Sequence, residues 1–316
     1  MKFDQKVLDW LLEPDQPVVR YYALVDLLDH KKSESQIREV HSKILKRGWA
    51  KEILAKQKPG GYWEKKSDLY KPKYLASNWK MIVLSDMVLK AEDDNRILRG
   101  CQLFFEDWLG DEDKFEIEGE VCISGNLARF LTRFGYSDDR RVKRIFDWLV
   151  NDQKDDGGWH CFKSSTGTLD GWEALAAFAA LPRQKRTKRI NRSIERGAEF
   201  YLERGLHREG RRYEPWFRFH YPNHYYYDLL VGLDVISSLG FGYDKRLSFA
   251  LRVLNKKRKS DGRWELDAVH PDLATGANYT LRNPNVTRFA LEKQGDPSKW
   301  ITLKALQVLK RVEESS

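Results

Sequence analysis

Gln57-Lys-Pro-Gly-Gly61-Tyr-Trp63 returns as Gln153-Lys-Asp-Asp-Gly157-Gly-Trp159 and again as Arg258-Lys-Ser-Asp-Gly262-Arg-Trp264. The shared pattern is Gln or Arg, three residues, Gly, one residue, Trp. The tryptophans stand 96 and 105 residues apart, each about twice a 50-residue unit. Degenerate copies fall midway, at Asp111-Glu-Asp-Lys-Phe115 and at 208–216, which ends in Trp216. A fixed period of this length signals a repeat architecture. Each part of the loop has a physical task. Glycine permits a turn with positive φ. Tryptophan buries a large ring between neighbouring units. The Gln or Arg, at the end of the preceding helix, can bond an orphan carbonyl or stack on the ring. The loop is structural in itself and catalyses nothing.

The chain between the loops reads as helices. Before a loop the pattern is amphipathic: Val142, Ile145, Phe146 and Leu149 follow i, i+3, i+4, i+7 spacing. After a loop it is apolar almost all round, as in Thr168–Leu181 and in most of 122–135 and 224–240. A helix apolar on every side is buried, and one with a polar stripe lies outside. The expected hairpins are 17–29 with 34–56, 75–90 with 94–108, 122–135 with 138–152, 168–181 with 187–203, and 224–240 with 244–257. A last helix follows at 298–312. The fold class expected is all-α: one α/α toroid of about six hairpins, spanning 1–316 as a single domain. Residues 265–297 are the one long irregular stretch, of the kind that is functional or disordered.

Composition bounds the rest. The chain has 316 residues, 41% hydrophobic, with a net charge of +9. That charge suits anionic ligands or surfaces, including peripheral contact with a membrane, and equally a solvated basic face. The densest run, Arg183–Arg196, reads as the exposed side of an outer helix, and no nucleic-acid-binding motif accompanies it. No apolar run is long enough to span a membrane. Three cysteines and no leader-like start point to a reducing, cytoplasmic setting. Walker, Rossmann, G-x-S-x-G and H-E-x-x-H patterns are absent.

Loops of this pattern, at multiples of about 50 residues between helices, resemble the repeats of squalene–hopene cyclases, oxidosqualene cyclases and protein prenyltransferase β subunits. The resemblance covers roughly 15–312. The segments Arg20-Tyr21-Tyr22, Leu27-Leu28 and Trp300–Leu309 look like those of small stand-alone prokaryotic members. It implies inner helices around an apolar, aromatic-lined cavity, with chemistry where loops meet inner-helix N-termini. The partner implied is an isoprenoid or another apolar small molecule.

The cyclases in that group use an Asp-x-Asp-Asp motif, which this chain lacks. The nearest match is Thr168-Leu-Asp170-Gly-Trp-Glu173, with two acids spaced i, i+3. Asp170 and Glu173, with Asp228, are the candidate catalytic acids. Asp170 also reads as a helix-capping acid. The prenyltransferases hold a catalytic zinc with Asp, Cys and His. Cys122, Cys161 and His224 open three successive hairpins here and are the candidate ligands, since thiolate and imidazole suit zinc. Their bland reading is small buried thiols and a His that caps its helix or bonds Asp228. Aromatic and basic residues, Trp79, Trp172, Tyr225, Arg212 and Arg218, are the expected substrate-binding set. Aromatic faces hold prenyl chains and cations, and arginines hold a diphosphate. Aromatic crowding at 213–227 reads equally as core packing. The functional choices are an isoprenoid-handling enzyme, a lipid carrier without chemistry, or a toroid for protein contacts.

Overall fold

The three repeat loops fold alike in the computed structural model, which describes residues 2–110, 120–208, 213–269 and 289–315. Each tryptophan is buried, and its indole N–H donates to a carbonyl ten residues upstream. Trp63 reaches Ile53 at 2.9 Å, Trp159 reaches Leu149 at 2.7 Å, and Trp264 reaches Leu254 at 2.8 Å. The ring thereby seals the end of the preceding helix, where carbonyls lack partners. Gly157 has φ +90°, and a Cβ there would lie 2.5 Å from the Arg196 carbonyl oxygen. Only glycine fits that turn and that approach. The Gln57 side-chain amide donates across to the Arg96 carbonyl at 2.9 Å, and Gln153 to the Ser193 carbonyl at 2.9 Å. Each loop thus ties its own hairpin to the next. Arg258 instead lays its guanidinium over Trp264.

The helices follow in order. They are α1 (Gln5–Leu11), α2 (Pro17–Tyr22), α3 (Ser35–Ile44), α4 (Trp49–Leu54), α5 (Ser77–Ser85), α6 (Asn95–Phe104) and α7 (Val121–Leu131). Then come α8 (Arg140–Asp152), α9 (Glu173–Ala180), α10 (Lys188–Glu203), α11 (Leu229–Ser238), α12 (Ser248–Lys256) and α13 (Lys299–Ser315). Among the described residues the only β pairings are isolated bridges. The outer helices α3, α6, α8, α10 and α12 bury one stripe each. All nine residues of α5 are buried, as expected of an inner helix.

Inner helices touch in a circuit. α5 packs on α7, α7 on α9, α9 on α11, α11 on α13, and α13 on α2. The Tyr22 hydroxyl donates to the Asp86 carbonyl at 2.9 Å, and links the first inner helix to the second. Because an outer helix runs back between successive inner ones, the inner N-termini gather at one mouth and the C-termini at the other.

Three features depart from the expected hairpins. α1 precedes the first hairpin, capped by the Asp4 side chain. The outer segment expected at 34–56 is split into α3 and α4 by a turn over 45–48, where Gly48 takes a φ of +74° just before α4. The fifth inner helix starts at Leu229, because 218–228 is held in an irregular path by its own side-chain bonds.

Candidate site at the N-terminal mouth

Glu173 opens α9, and its side chain is fully buried. Neither carboxyl oxygen has a hydrogen-bond partner among the described residues. The packing explains the burial. A Cβ on Gly125 of α7 would lie 2.7 Å from the Glu173 Cβ, so the two helices meet here backbone to backbone. An ionised carboxylate cut off from water is strongly disfavoured. Burial first, and then negative charge on Cys161, push the Glu173 carboxyl well above the usual range, against the pull of Arg129. Burial thus favours the neutral form of the Glu173 carboxyl.

Cys161 and Cys122 sit beside it, both half-buried. The Cys122 thiol meets the Glu120 carboxylate at 3.6 Å. Its interaction with the neighbouring Cys161 holds Cys161 below the ordinary thiol range and, with burial, drives Cys122 far above it. Cys101, on α6, is fully buried elsewhere in the core.

An aromatic wall adjoins this cluster. The Trp79 indole donates to the Tyr70 carbonyl at 2.6 Å, and the Tyr70 and Trp79 rings stand 4.8 Å apart. His224 stacks on Tyr74 at 4.9 Å and meets Trp79 edge-on at 5.3 Å. The Trp172 indole donates to the Tyr225 carbonyl at 3.1 Å, and the Tyr225 hydroxyl takes a bond from Lys73 at 3.0 Å. The expected residues Trp79, Trp172 and Tyr225 are thus in one cluster.

Other expected residues serve structure. Asp170 lies exposed in the turn before α9 and accepts the Trp216 indole N–H at 3.1 Å. Asp228 caps α11: one oxygen accepts the Val231 N–H at 2.8 Å. Its other oxygen takes the His220 backbone N–H at 2.9 Å and contacts the His220 ring nitrogen Nδ1 at 2.6 Å. The partner of Asp228 is therefore His220, where the sequence suggested His224. The geometry joins Cys122 to Cys161 but leaves His224 in the aromatic wall. Among the described residues no group of three or more His, Cys, Asp or Glu side chains is placed to hold a metal ion. As placed, this donor set does not fit a zinc centre. Arg218 lines a groove on the outer surface, away from Glu173. Arg212 and most of 265–297 lie outside the described residues.

Two buried cations escaped the sequence reading. Lys80 is buried on α5, donates to the Tyr74 carbonyl at 3.0 Å, and lies over Phe289 at 3.1 Å. Burial, assisted by Lys56, lowers its pKa to about 7. Arg129, buried on α7, lies over the Trp172 ring, and burial lowers it to about 10. A single cation inside an otherwise apolar helix was the available signal for each.

Between the helices lies a cavity of about 70 Å³ whose lining mixes charged groups, among them Asp86, Arg129 and Lys304, with Trp172, Trp300 and aliphatic side chains. It shares Arg133, Asp234 and Lys304 with a neighbouring space of about 570 Å³.

No protein-family model matches the chain, and no curated protein matches it. Among solved structures it is similar to the type II terpene cyclase MstE from Scytonema, in its apo form. The identity is 14%, over 96% of this chain and 89% of that one, with a TM-score of 0.47. A protein from Actinoplanes gives 14% identity, 98% coverage of both chains and a TM-score of 0.45. A variant of MstE in complex with geranylgeranyl dihydroxybenzoate gives 13%, 95% and 87% coverage, and 0.45. These include terpene cyclases, as the loop resemblance implies. At such identities and TM-scores they do not bear on what this chain does.

Proposed function

We propose that the chain is an isoprenoid-handling enzyme that works by acid chemistry at its N-terminal mouth, with Glu173 as the proton donor. The observation that carries this reading is the fully buried Glu173 carboxyl, neither oxygen of which has a hydrogen-bond partner among the described residues. A neutral carboxylic acid in a dry site is poised to protonate a weakly basic group, and an alkene is the weakest. The step balances simply. The Glu173 proton goes to a terminal alkene carbon. The resulting cation loses a proton or adds water, and Glu173 regains its proton from solvent. Tyr70, Trp79, Trp172 and Tyr225 supply faces that stabilise a cation. In this reading the substrate meets Tyr70 and Tyr225, the half-buried members of that wall.

A second reading, binding of an apolar ligand or a protein without chemistry, draws on the mixed lining of the cavity between the helices. Turnover in D2O separates the two. A linear prenyl alcohol and its diphosphate are offered to the protein, and products are read by mass spectrometry. The acid reading predicts a product with one carbon-bound deuterium, lost in Glu173→Gln. Binding without deuterium uptake, or full activity in Glu173→Gln, contradicts it.

A further inference from the structure

An open groove adjoins the outer helix α12. A groove of about 830 Å³ lies between the turn Glu214–Phe217, helix α12 and residues 257–267. Its apolar floor is Phe217 and Phe249, set edge to face with centroids 6.3 Å apart. His207 stacks on Phe249 at 4.0 Å and holds that ring in place.

The charges around this floor do not balance. Five cations line it, Arg218, Arg252, Lys256, Lys257 and Lys259, against three carboxylates, Glu214, Glu265 and Asp267. Lys257 pairs with Asp267 at 2.8 Å, and Lys259 with Glu265 at 2.8 Å. Asp267 is further occupied by the Phe219 N–H at 2.8 Å. Arg218, Arg252 and Lys256 form no ion pair with any described residue. The Arg218 Nη1 is buried and has no hydrogen-bond partner among the described residues. A buried guanidinium N–H left unmet costs free energy in the empty protein, and a bound oxyanion would recover it. Unpaired cations above an aromatic floor select a ligand with both features.

We propose that this groove binds a small amphipathic phosphate: its oxyanion on Arg218, Arg252 and Lys256, its apolar body on Phe217 and Phe249. The site is separate from the Glu173 mouth and does not depend on the acid chemistry proposed there. A guanidinium matches two phosphate oxygens at once, so Arg218 fixes the headgroup. The phenyl rings supply the apolar share of the affinity.

Titration calorimetry with hexyl phosphate tests this, with inorganic phosphate and hexanol alongside. Hexyl phosphate is expected to bind at least tenfold more tightly than either. Arg218→Gln is expected to weaken it at least tenfold. Phe249→Ala should weaken hexyl phosphate while leaving inorganic phosphate unchanged. Thermal melts of both variants confirm that they fold. Sedimentation with phosphatidylcholine vesicles containing phosphatidic acid identifies the source. Arg218-dependent co-sedimentation assigns a lipid headgroup, and binding of hexyl phosphate alone assigns a free molecule. Equal affinities in wild type and both variants, or no binding of hexyl phosphate at millimolar concentration, overturns the proposal.

Discussion

The two mouths of the ring treat acidic side chains in opposite ways. At the N-terminal mouth, Glu173 is buried with neither oxygen hydrogen-bonded to any described residue. Toward the C-terminal mouth, Asp234 of α11 bonds Lys304 at 3.2 Å and also pairs with Arg311. Around it the Gln307 side chain donates to Asp26 at 2.6 Å, and Lys310 reaches Asp29 at 2.5 Å. Burial alone would raise both acids. For Asp234 the two cations outweigh burial and hold it well below the usual range. For Glu173 burial wins. The paired end closes the ring, joining α13 to the first hairpin. The unpaired end keeps a cost that folding does not need, which is how a reactive group differs from a structural one.

The comparison can be broken by pH, because the two acids have opposite linkage. Glu173 has a raised folded pKa, so its stabilising share is present in acid and is lost as pH climbs above the ordinary glutamate range. Glu173→Met has no such loss. Melts of the two proteins should diverge with rising pH, the variant gaining about 1.4 kcal/mol per pH unit until the folded carboxyl ionises. Parallel curves from pH 5 to 8 would mean that Glu173 is ionised in the fold.

Asp234 has a lowered folded pKa. Its share is present above the ordinary aspartate range and is lost as pH falls below it. Asp234→Asn should cost about 2 kcal/mol at pH 7 in chemical denaturation, under the roughly 3–5 kcal/mol of a fully buried pair. The discount reflects partial solvent access: Lys304 keeps 22% and Arg311 27% of their side-chain exposure. The difference between wild type and Asp234→Asn should shrink at low pH. A neutral effect at pH 7 would make the C-terminal network ornamental and remove the contrast.

The fold was legible because its signal is local. Gly157 and Trp159 mark a turn and a plug within seven residues of Gln153, and the same chemistry recurs at Trp63 and Trp264. The acids were half legible. Asp170 and Glu173 share a helix-face spacing, but which one is buried depends on Gly171. A Cβ on that glycine would lie 2.4 Å from the Trp159 carbonyl oxygen, so the turn packs down there, leaving Asp170 outside and taking Glu173 in. Cys122 and Cys161 were found from their places at the loop ends. His224 was misjudged because His220, four residues earlier, takes Asp228, and no periodicity announces an irregular segment. The C-terminal network was out of reach, since Asp26 and Gln307 lie 281 residues apart.

Infrared difference spectroscopy of wild type against Glu173→Gln tests the central claim most directly. The account predicts a protonated-carboxyl C=O stretch at pH 7 in the wild type, present from pH 5 to 7 and absent from the variant. A carboxylate band at pH 7 in its place would show Glu173 ionised and contradict the proposed acid chemistry.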